Sequence, residues 1–266
     1  MRDHYDALIV GAGHGGANAA LALRQRKFTG SIALVSDESS LPYERPPLSK
    51  DYLSGKRGFE QILLRSLPVW ESHGIDLLLG ERAVEVNAQA HALTLESRRT
   101  LTYGNLVWAA GGRARRLSCP GHDLASVHAI RTREDVDRLR EEVRSAARIA
   151  IIGAGYVGLE AAASLTSLGK QVCLIEAQSR VLARVAGPEV SAFYAREHQA
   201  RGVEVLVDRA VEGLEGANGR VARVVLKDEP AIDAEVVIIG VGMLPNLEVL
   251  GAAGAEVANG VRVDAQ

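Results

Sequence analysis

The sequence predicts an α/β protein made of two similar units, because one pattern of strand, glycine turn and helix occurs twice. The first copy begins as an apolar strand at Leu8 and continues as a helix over residues 17–26. The turn between them carries the G-x-G-x-x-G spacing, with its glycines at Gly11, Gly13 and Gly16. A chain of 266 residues also has room for two domains at about 150 residues each.

This first turn has the form of a pyrophosphate-binding site. Gly11 allows the sharp turn, Gly13 lets the backbone approach the phosphates, and Gly16 lets the helix pack on the strand. The first amide groups of the helix would face the anion. A second strand, predicted over residues 31–36, ends at Asp37. That is about 20 residues after the turn, where a dinucleotide fingerprint has a carboxylate for the ribose hydroxyls.

The second copy has its glycines at Gly153, Gly155 and Gly158. Its second strand, predicted over residues 171–175, ends at Glu176, again about 20 residues after the turn. A single G-x-G-x-x-G spacing is a common structural turn. Two complete fingerprints in one chain instead favour two bound dinucleotides, with electron transfer between them.

The rest of the chain repeats one architecture in both halves. Each pair of fingerprint strands is followed by short strands typical of an antiparallel meander, then by a buried strand and two closely spaced glycines. The predicted meander strands are residues 82–87, 91–95, 100–103, 203–207, 210–214 and 221–226, and the buried strands are residues 105–110 and 235–239. The other predicted helices are residues 66–73, 133–144 and 188–201, with a short helix from Leu48 after two adjacent prolines.

Composition argues against several classes of function. The formal net charge is -2, so no basic field points to nucleic acid. The two cysteines, Cys119 and Cys173, have neither zinc-ligand nor disulfide-framework spacing, which favours a reducing compartment and no metal site. No apolar run reaches the ~18 residues of a membrane span, and the N-terminus lacks a signal-peptide pattern. We therefore expect a cytoplasmic protein that binds neither nucleic acid nor a membrane.

Four segments resemble the FAD-dependent ferredoxin reductase family, the putidaredoxin and rubredoxin reductases of bacterial oxygenase systems. They are LPYERPPLSK (residues 41–50), RTRED (131–135), IGAGYVGLE (152–160) and GVGMLPN (240–246). The PPLSK run discriminates most, and the resemblance covers essentially all 266 residues. It places the chain in the pyridine nucleotide-disulfide oxidoreductase superfamily, without the redox disulfide. The implied fold is two Rossmann-like dinucleotide-binding domains, each a three-layer ββα structure with a β-meander crossover.

The resemblance also implies domain boundaries. A FAD-binding domain would comprise residues 1–112 and 244–266, and a NAD-binding domain residues 113–243. Members of the family continue with a Gly-Asp segment that completes the flavin site, and then with a C-terminal β-rich interface domain. This chain stops at residues 264–266, before both. We expect a whole NADH site, a FAD site incomplete at its C-terminal end, and no interface domain.

Site residues follow from the same resemblance. Lys50 and Glu160 would be catalytic, with Lys50 close to the flavin ring, where a cation stabilises negative charge, and Glu160 near the nicotinamide. Ala83 would meet the adenine end of FAD, Arg131 the flavin, and Arg184 the outer part of NADH. The FAD-binding residues would be Gly11, Ala12, Gly13, Gly15, Gly16, Asp37, Lys50, Ala83 and Arg131. The NADH-binding residues would be Gly153, Gly155, Tyr156, Val157, Gly158, Glu160, Glu176, Arg184 and Gly242.

The implied activity is an NADH-dependent reductase whose electron acceptor is a ferredoxin- or rubredoxin-type iron–sulfur protein. Disulfide-reducing relatives carry a C-x4-C pair after the first acid, whereas this chain has no cysteine before Cys119. Two alternatives stay open: an NADH oxidase or quinone reductase on the same scaffold, and a truncated module that binds nucleotides without turnover. The residues also have plain structural alternatives, since Lys50 could be an exposed lysine and Glu160 a surface residue of a helix.

Overall fold

The computed structural model describes residues 2–264, which form two compact units. Unit 1 comprises the described parts of Met1–Glu44, Glu60–Arg113 and Pro245–Gln266, and unit 2 comprises Arg45–Phe59 and Ala114–Leu244. The sequence places residues 45–59 in the FAD-binding domain, whereas the structure groups them with unit 2. Residue 1 and residues 265–266, at the ends of the predicted FAD-binding domain, lie outside the described residues.

The described strands are β1 (His4–Val10), β2 (Ile32–Ser36), β3 (Ile75–Leu79), β4 (Ala83–Asn87), β5 (Ala92–Leu95), β6 (Thr100–Trp108), β7 (Gly112–Ala114), β8 (Val127–Ala129), β9 (Arg148–Ile152), β10 (Gln171–Ile175), β11 (Val203–Leu206), β12 (Val211–Ala217), β13 (Arg220–Leu226), β14 (Ile232–Asp233), β15 (Val236–Ile239) and β16 (Met243–Pro245). The α-helices are α1 (His14–Gln25), α2 (Leu67–Ser72), α3 (Arg133–Ser145), α4 (Tyr156–Ser167), α5 (Pro188–Ala200) and α6 (Glu248–Ala252). Two 3₁₀ helices span Pro46–Ser49 and Phe59–Ile62.

Unit 1 is built on a six-stranded sheet of described strands in the order β3-β2-β1-β6-β5-β4. Its first four strands are parallel, and β5 and β4 continue it antiparallel. On one face Ile9 packs with Ala20 of α1 and Trp70 of α2. On the other face Leu8 packs with Leu93 of β5. Because successive residues of a strand point to opposite faces and both faces are covered here, the second half of β1, Ala7–Val10, is apolar and buried throughout.

Unit 2 has the same plan with a separate meander. Its parallel sheet has the order β11-β10-β9-β15-β8, and β12-β13-β14 form an antiparallel sheet of their own. Ile152, Ile175 and Val237 of the parallel sheet share a core with Leu214 and Val224 of the meander. Helices α4 and α5 pack on β9, β10 and β11. The α/β class predicted from the sequence is therefore confirmed, and unit 2 has the predicted three-layer arrangement.

Several element predictions need correction. The strands predicted at 100–103 and 105–110 form one strand, β6, which ends at Trp108. Its first half pairs with β5, while most of it pairs with β1. Its C-terminal residues Leu106–Trp108 are half-buried rather than buried. The strand predicted at 203–207 is β11, a parallel edge strand beside β10, and the third meander strand is the two-residue β14. Strand β3, the parallel partner of β2, was not predicted.

Two helix starts also differ from the sequence prediction. Helix α1 begins at His14 rather than at residue 17, because the helix starts inside the glycine turn. The short helix expected from Leu48 is a 3₁₀ helix that begins at Pro46, and proline suits a helix's first turn. That 3₁₀ helix packs on α3 and α4, and the Tyr52 hydroxyl donates a 2.6 Å hydrogen bond to Asp137 of α3. These contacts explain why residues 45–59 belong to unit 2.

The sheet topology places each glycine turn at a ligand-binding position. In unit 1 the chain leaves β1 toward β2 on one side, and β6 lies on the other side. In unit 2, β9 is flanked in the same way by β10 and β15. Parallel sheets bind ligands beyond the carboxyl ends of the strands, where the strand order changes direction. The turns after β1 and β9 both lie at this point.

Among the described helices, none has both the length and the apolar character that crossing a membrane requires.

Candidate functional site

The glycine turn of unit 1 joins β1 to α1 and is shaped by two close backbone contacts. Gly11 has a φ of 105°, and a Cβ there would lie 2.2 Å from the carbonyl oxygen of Ala109, just after β6. A Cβ on Gly16 would lie 1.8 Å from the carbonyl oxygen of Gly11. A Cβ on Gly13, by contrast, would meet no atom within 4 Å. The fold therefore requires Gly11 and Gly16, whereas Gly13 borders open space.

The turn of unit 2 repeats this geometry. Gly153 has a φ of 103°, and a Cβ there would lie 2.6 Å from the carbonyl oxygen of Gly240, just after β15. A Cβ on Gly158 would lie 2.0 Å from the Gly153 oxygen, while Gly155 borders open space. The residues after β6 and β15 thus hold equivalent positions, as the sequence pattern predicts.

The two glycines that border open space, here called the open glycines, each lie at the start of a helix. Gly13 caps α1 and Gly155 caps α4, and neither has a side chain to occupy the first-turn amides. A helix leaves its first amide groups without partners inside the helix, and these groups favour an anion. Open space in front of such amides fits the pyrophosphate of a dinucleotide. Both turns can therefore hold one.

A cavity of about 420 Å³ lies beside the turn of unit 1. Of the predicted FAD residues, Gly11, Asp37 and Ala83 line it, and Ala12, Gly13, Gly15 and Gly16 continue the turn from Gly11. The sequence did not single out Arg82 and Trp108, which also line the cavity. Arg82 Nη2 lies 3.5 Å from Asp37 Oδ2. The two residues are far apart in the sequence, so sequence spacing does not predict this ion pair.

A larger cavity, about 590 Å³, lies beside the turn of unit 2. It brings together eight of the predicted site residues: Arg131, Gly153, Gly155, Tyr156, Val157, Glu176, Arg184 and Gly242. Exposed apolar side chains also line it, including Val185 and Met243. A mostly apolar lining with a few polar groups is typical of a cofactor site. Arg131 lies here in unit 2, and its contact with a flavin stays a prediction.

Glu176 is oriented by two backbone amides. The Ala154 amide donates to Glu176 Oε2 at 2.7 Å, and the Gln178 amide donates to Oε1 at 2.9 Å. A carboxylate oxygen can accept more than one hydrogen bond, so each oxygen keeps acceptor capacity. The fixed carboxylate can therefore accept from both hydroxyls of a ribose in the cavity.

The two predicted catalytic residues meet in unit 2. Lys50 Nζ lies 2.9 Å from Glu160 Oε1, with 43% and 33% of the two side chains exposed. The other carboxylate oxygen, Oε2, accepts a 2.6 Å hydrogen bond from the Ser49 hydroxyl. Ser49 is only 3% exposed, and its own carbonyl oxygen accepts from the Ser164 hydroxyl at 2.8 Å. The carboxylate is thus held at both oxygens.

Ser49 and Ser164 are functional candidates that the sequence reasoning missed. Ser49 stands inside the PPLSK run, directly before Lys50. Ser164 lies four residues after Glu160, which places both on one face of α4. These two signals could have found them. The partners themselves could not be paired from the sequence, since residues 49 and 160 lie far apart in the chain.

The cysteines are poorly placed for thiol chemistry. Burial, followed by the nearby Glu204 carboxylate, raises the pKa of Cys173 to about 12. Burial also raises the pKa of Cys119, which is half-buried. Because the thiolate is the reactive form, both residues are weak nucleophiles at neutral pH. In the part of the chain that the structure describes, no group of three or more metal-ligating side chains is arranged around a common point.

Comparison with known proteins gives consistent matches. A family model described as pyridine nucleotide-disulphide oxidoreductase matches residues 5–266. The chain is 50% identical over 262 residues to a ferredoxin–NAD(P)(+) reductase of Sphingomonas sp, covering 98% of this chain and 63% of that protein. It is 52% identical over 262 residues to the 5,5'-dehydrodivanillate O-demethylase ferredoxin reductase subunit of a Sphingobium strain, covering 98% of this chain and 64% of the other.

A solved structure agrees with these matches. The crystal structure of a ferredoxin reductase from Rhodopseudomonas palustris has a TM-score of 0.93 and 36% identity, covering 98% of this chain and 64% of the other. This likeness confirms the predicted fold of two Rossmann-like domains. The chain spans less than two thirds of the length of these three relatives.

Replacing Gly155 by Ala is expected to weaken NADH binding about tenfold without lowering thermal stability. The added methyl group fits the free protein but fills the space in front of the first-turn amides. Gly158→Ala is the contrasting variant for stability, since its methyl group would clash with the Gly153 oxygen and lower the free energy of unfolding by about 1–3 kcal/mol. Calorimetric titration and thermal unfolding measure the two effects. If Gly155→Ala binds NADH as tightly as the wild type does, NADH does not bind in front of the helix start at Gly155.

Replacing Ser49 by Ala is expected to loosen the Lys50–Glu160 pair, because one carboxylate oxygen loses its donor. Acetylation of the Lys50 amine should then become about two- to fivefold faster, the range set by a partly exposed ion pair. Mass spectrometry measures the rate, with Lys170, whose Nζ donates to the Ala146 oxygen at 2.7 Å, as internal reference. Ser54→Ala removes a hydroxyl from the same segment and should leave the rate unchanged. Equal rates in both variants would show that Ser49 does not hold the pair.

Proposed function

Because the chain belongs to the pyridine nucleotide-disulphide oxidoreductase family, we propose that it passes electrons from NADH through FAD to a ferredoxin- or rubredoxin-type iron–sulfur protein. The observation that carries this proposal is the pair of glycine turns in separate units. Each turn has an open glycine at a helix start and an acid at the end of the next strand. Two such sites support two dinucleotides in one chain.

The proposal assigns FAD to unit 1 and NADH to unit 2. Asp37 and Ala83 would hold the adenosine half of FAD, and Glu176 and Arg184 that of NADH. When bound, FAD would supply the chemistry that links a two-electron donor to a one-electron acceptor. Lys50 would provide the positive charge that favours negative charge on the flavin. Its ion pair with Glu160, which also accepts from the Ser49 hydroxyl, keeps the ammonium group in one place.

An iron–sulfur protein is proposed as the acceptor for two reasons. The relatives described above are named as ferredoxin reductases, and one is the reductase subunit of an O-demethylase. The described cysteines also argue against an electron relay through this chain's own thiols, since burial keeps Cys173 protonated at neutral pH. Because one of these relatives is named as the reductase subunit of an O-demethylase, the proposed acceptor serves an oxygenase. The proposed compartment is the cytoplasm, in keeping with two free cysteines.

The visible spectrum of the purified chain, with its nucleotide extracted and identified, tests the proposal first. We expect FAD, bleached by NADH, and reoxidation that is fastest with a ferredoxin or rubredoxin. Bound FMN would overturn the assignment of unit 1, because the proposed site recognises the adenosine half. Reoxidation by oxygen or a quinone alone would favour an oxidase or quinone reductase. A chain that binds nucleotides without NADH oxidation would be a binding module.

Cofactor selection gives a second test. The 2'-phosphate of NADPH would meet Glu176 as a like charge, which costs a few kcal/mol at an effective dielectric of about 20. We expect NADH to bind about ten- to a hundredfold more tightly than NADPH, and Glu176→Arg to reduce or reverse that preference. Glu134→Arg, the same charge change at an exposed position on α3, is the control. Equal wild-type affinities for the two cofactors would show that Glu176 does not select between them.

A further inference from the structure

One wall of the unit 2 cavity is a short turn between β10 and α5, here called the wall segment (residues 182–186). Leu182, Ala183, Arg184 and Val185 line the cavity in succession. Leu182 has a φ of 54°, a left-handed conformation that is unfavourable for a residue with a side chain. Its amide donates to the Ala154 oxygen at 2.9 Å, which ties the segment to the glycine turn. Such a conformation persists only when its surroundings hold it.

Arg180 holds the same segment from its other side. Its Nη1 donates to the carbonyl oxygen of Ala186 and to the Ser191 hydroxyl, both at 2.7 Å. Its Nη2 donates to the carbonyl oxygen of Ala183 at 3.0 Å. Ser191 is only 1% exposed and belongs to the first turn of α5. The guanidinium therefore joins both ends of the wall segment to a buried point on the helix.

Arg180 and Arg184 have different positions: Arg180 binds the wall segment, and Arg184 faces the cavity. Arg180 is not one of the lining residues, whereas Arg184 is exposed and lines the cavity. The carbonyl groups that Arg180 binds lie directly before Arg184 and two residues after it. Arg209 also lines the cavity, and its Nη2 lies 3.1 Å from Glu229 Oε1.

We infer that Arg180 is a positioning residue for nucleotide binding in unit 2, acting through the backbone on both sides of Arg184. The inference rests on the proposed binding of NADH to this unit. Arginine suits the role because its planar fork presents five fixed donors, enough for three acceptors at once. A lysine has one nitrogen and cannot reach acceptors that a guanidinium meets through two. Arg180 sets the affinity for the nucleotide and leaves the later hydride transfer unchanged.

Arg180→Met tests the role, since it keeps much of the apolar stem and removes every donor. The dissociation constant for NADH should rise about tenfold, while kcat at saturating NADH stays within about twofold of wild type. In the chain without NADH, hydrogen exchange at the Leu182 and Val185 amides should become faster. Arg196→Met removes an exposed arginine from α5 and should change neither quantity. The dissociation constant of Arg180→Lys for NADH should lie between those of the wild type and Arg180→Met. If Arg180→Met does not fold, Arg180→Lys is used in its place.

A double-mutant cycle with Arg184→Ala shows whether Arg180 acts through Arg184. The two substitutions should be less than additive, with Arg180→Met weakening NADH binding by less than about threefold once Arg184 is alanine. Fully additive effects, or an unchanged dissociation constant in Arg180→Met and Arg180→Lys, would overturn the inference. If the wild-type chain itself does not bind NADH, the proposed function fails instead. The exchange rates of the wall segment then still decide whether Arg180 holds it.

Discussion

The close contact between the first and third glycines of each turn is the constraint on which the rest of this structure depends. The Gly11 carbonyl oxygen occupies the space that a side chain on Gly16 would need, and Gly153 and Gly158 stand in the same relation. This contact brings the helix against the strand it follows. It also brings the helix start to the carboxyl end of the sheet, where the middle glycine borders open space. An anion site thus results from backbone packing alone.

The two units share this glycine turn but differ in the strands and side chains that surround it. In unit 1 the meander strands β4 and β5 extend the main sheet, whereas in unit 2 the meander forms a sheet of its own over the core. The cavity of unit 1 is lined by ion-paired groups such as Asp37 and Arg82. That of unit 2 has exposed apolar side chains, including Tyr156 and Val185. Residues outside the fingerprints therefore distinguish the two sites.

Features set by neighbouring residues could be predicted from the sequence, and features set by distant partners could not. The glycine positions, Asp37 and Glu176 follow from local spacing, since a turn and the strand after it fix where they lie. The role of β11 could not be predicted, because a short apolar strand is compatible with either a parallel or an antiparallel neighbour. Lys50 and Glu160 were each expected at a site through the family resemblance. Their meeting, and the hydrogen bond from the Ser49 hydroxyl to the other oxygen of Glu160, depend on tertiary packing.

The segment Arg45–Phe59 has a consequence for how this architecture can be divided. It belongs to unit 2, yet in the chain it lies between two parts of unit 1. The residues from 114 to 244 are thus not a self-sufficient module, since they include Glu160 and Ser164 but leave out Lys50 and Ser49. A chimaera that exchanged only residues 114–244 would pair the Glu160 carboxylate of one parent with the Lys50 ammonium group of the other. The transferable piece is discontinuous, and its shorter part carries half of the charge pair.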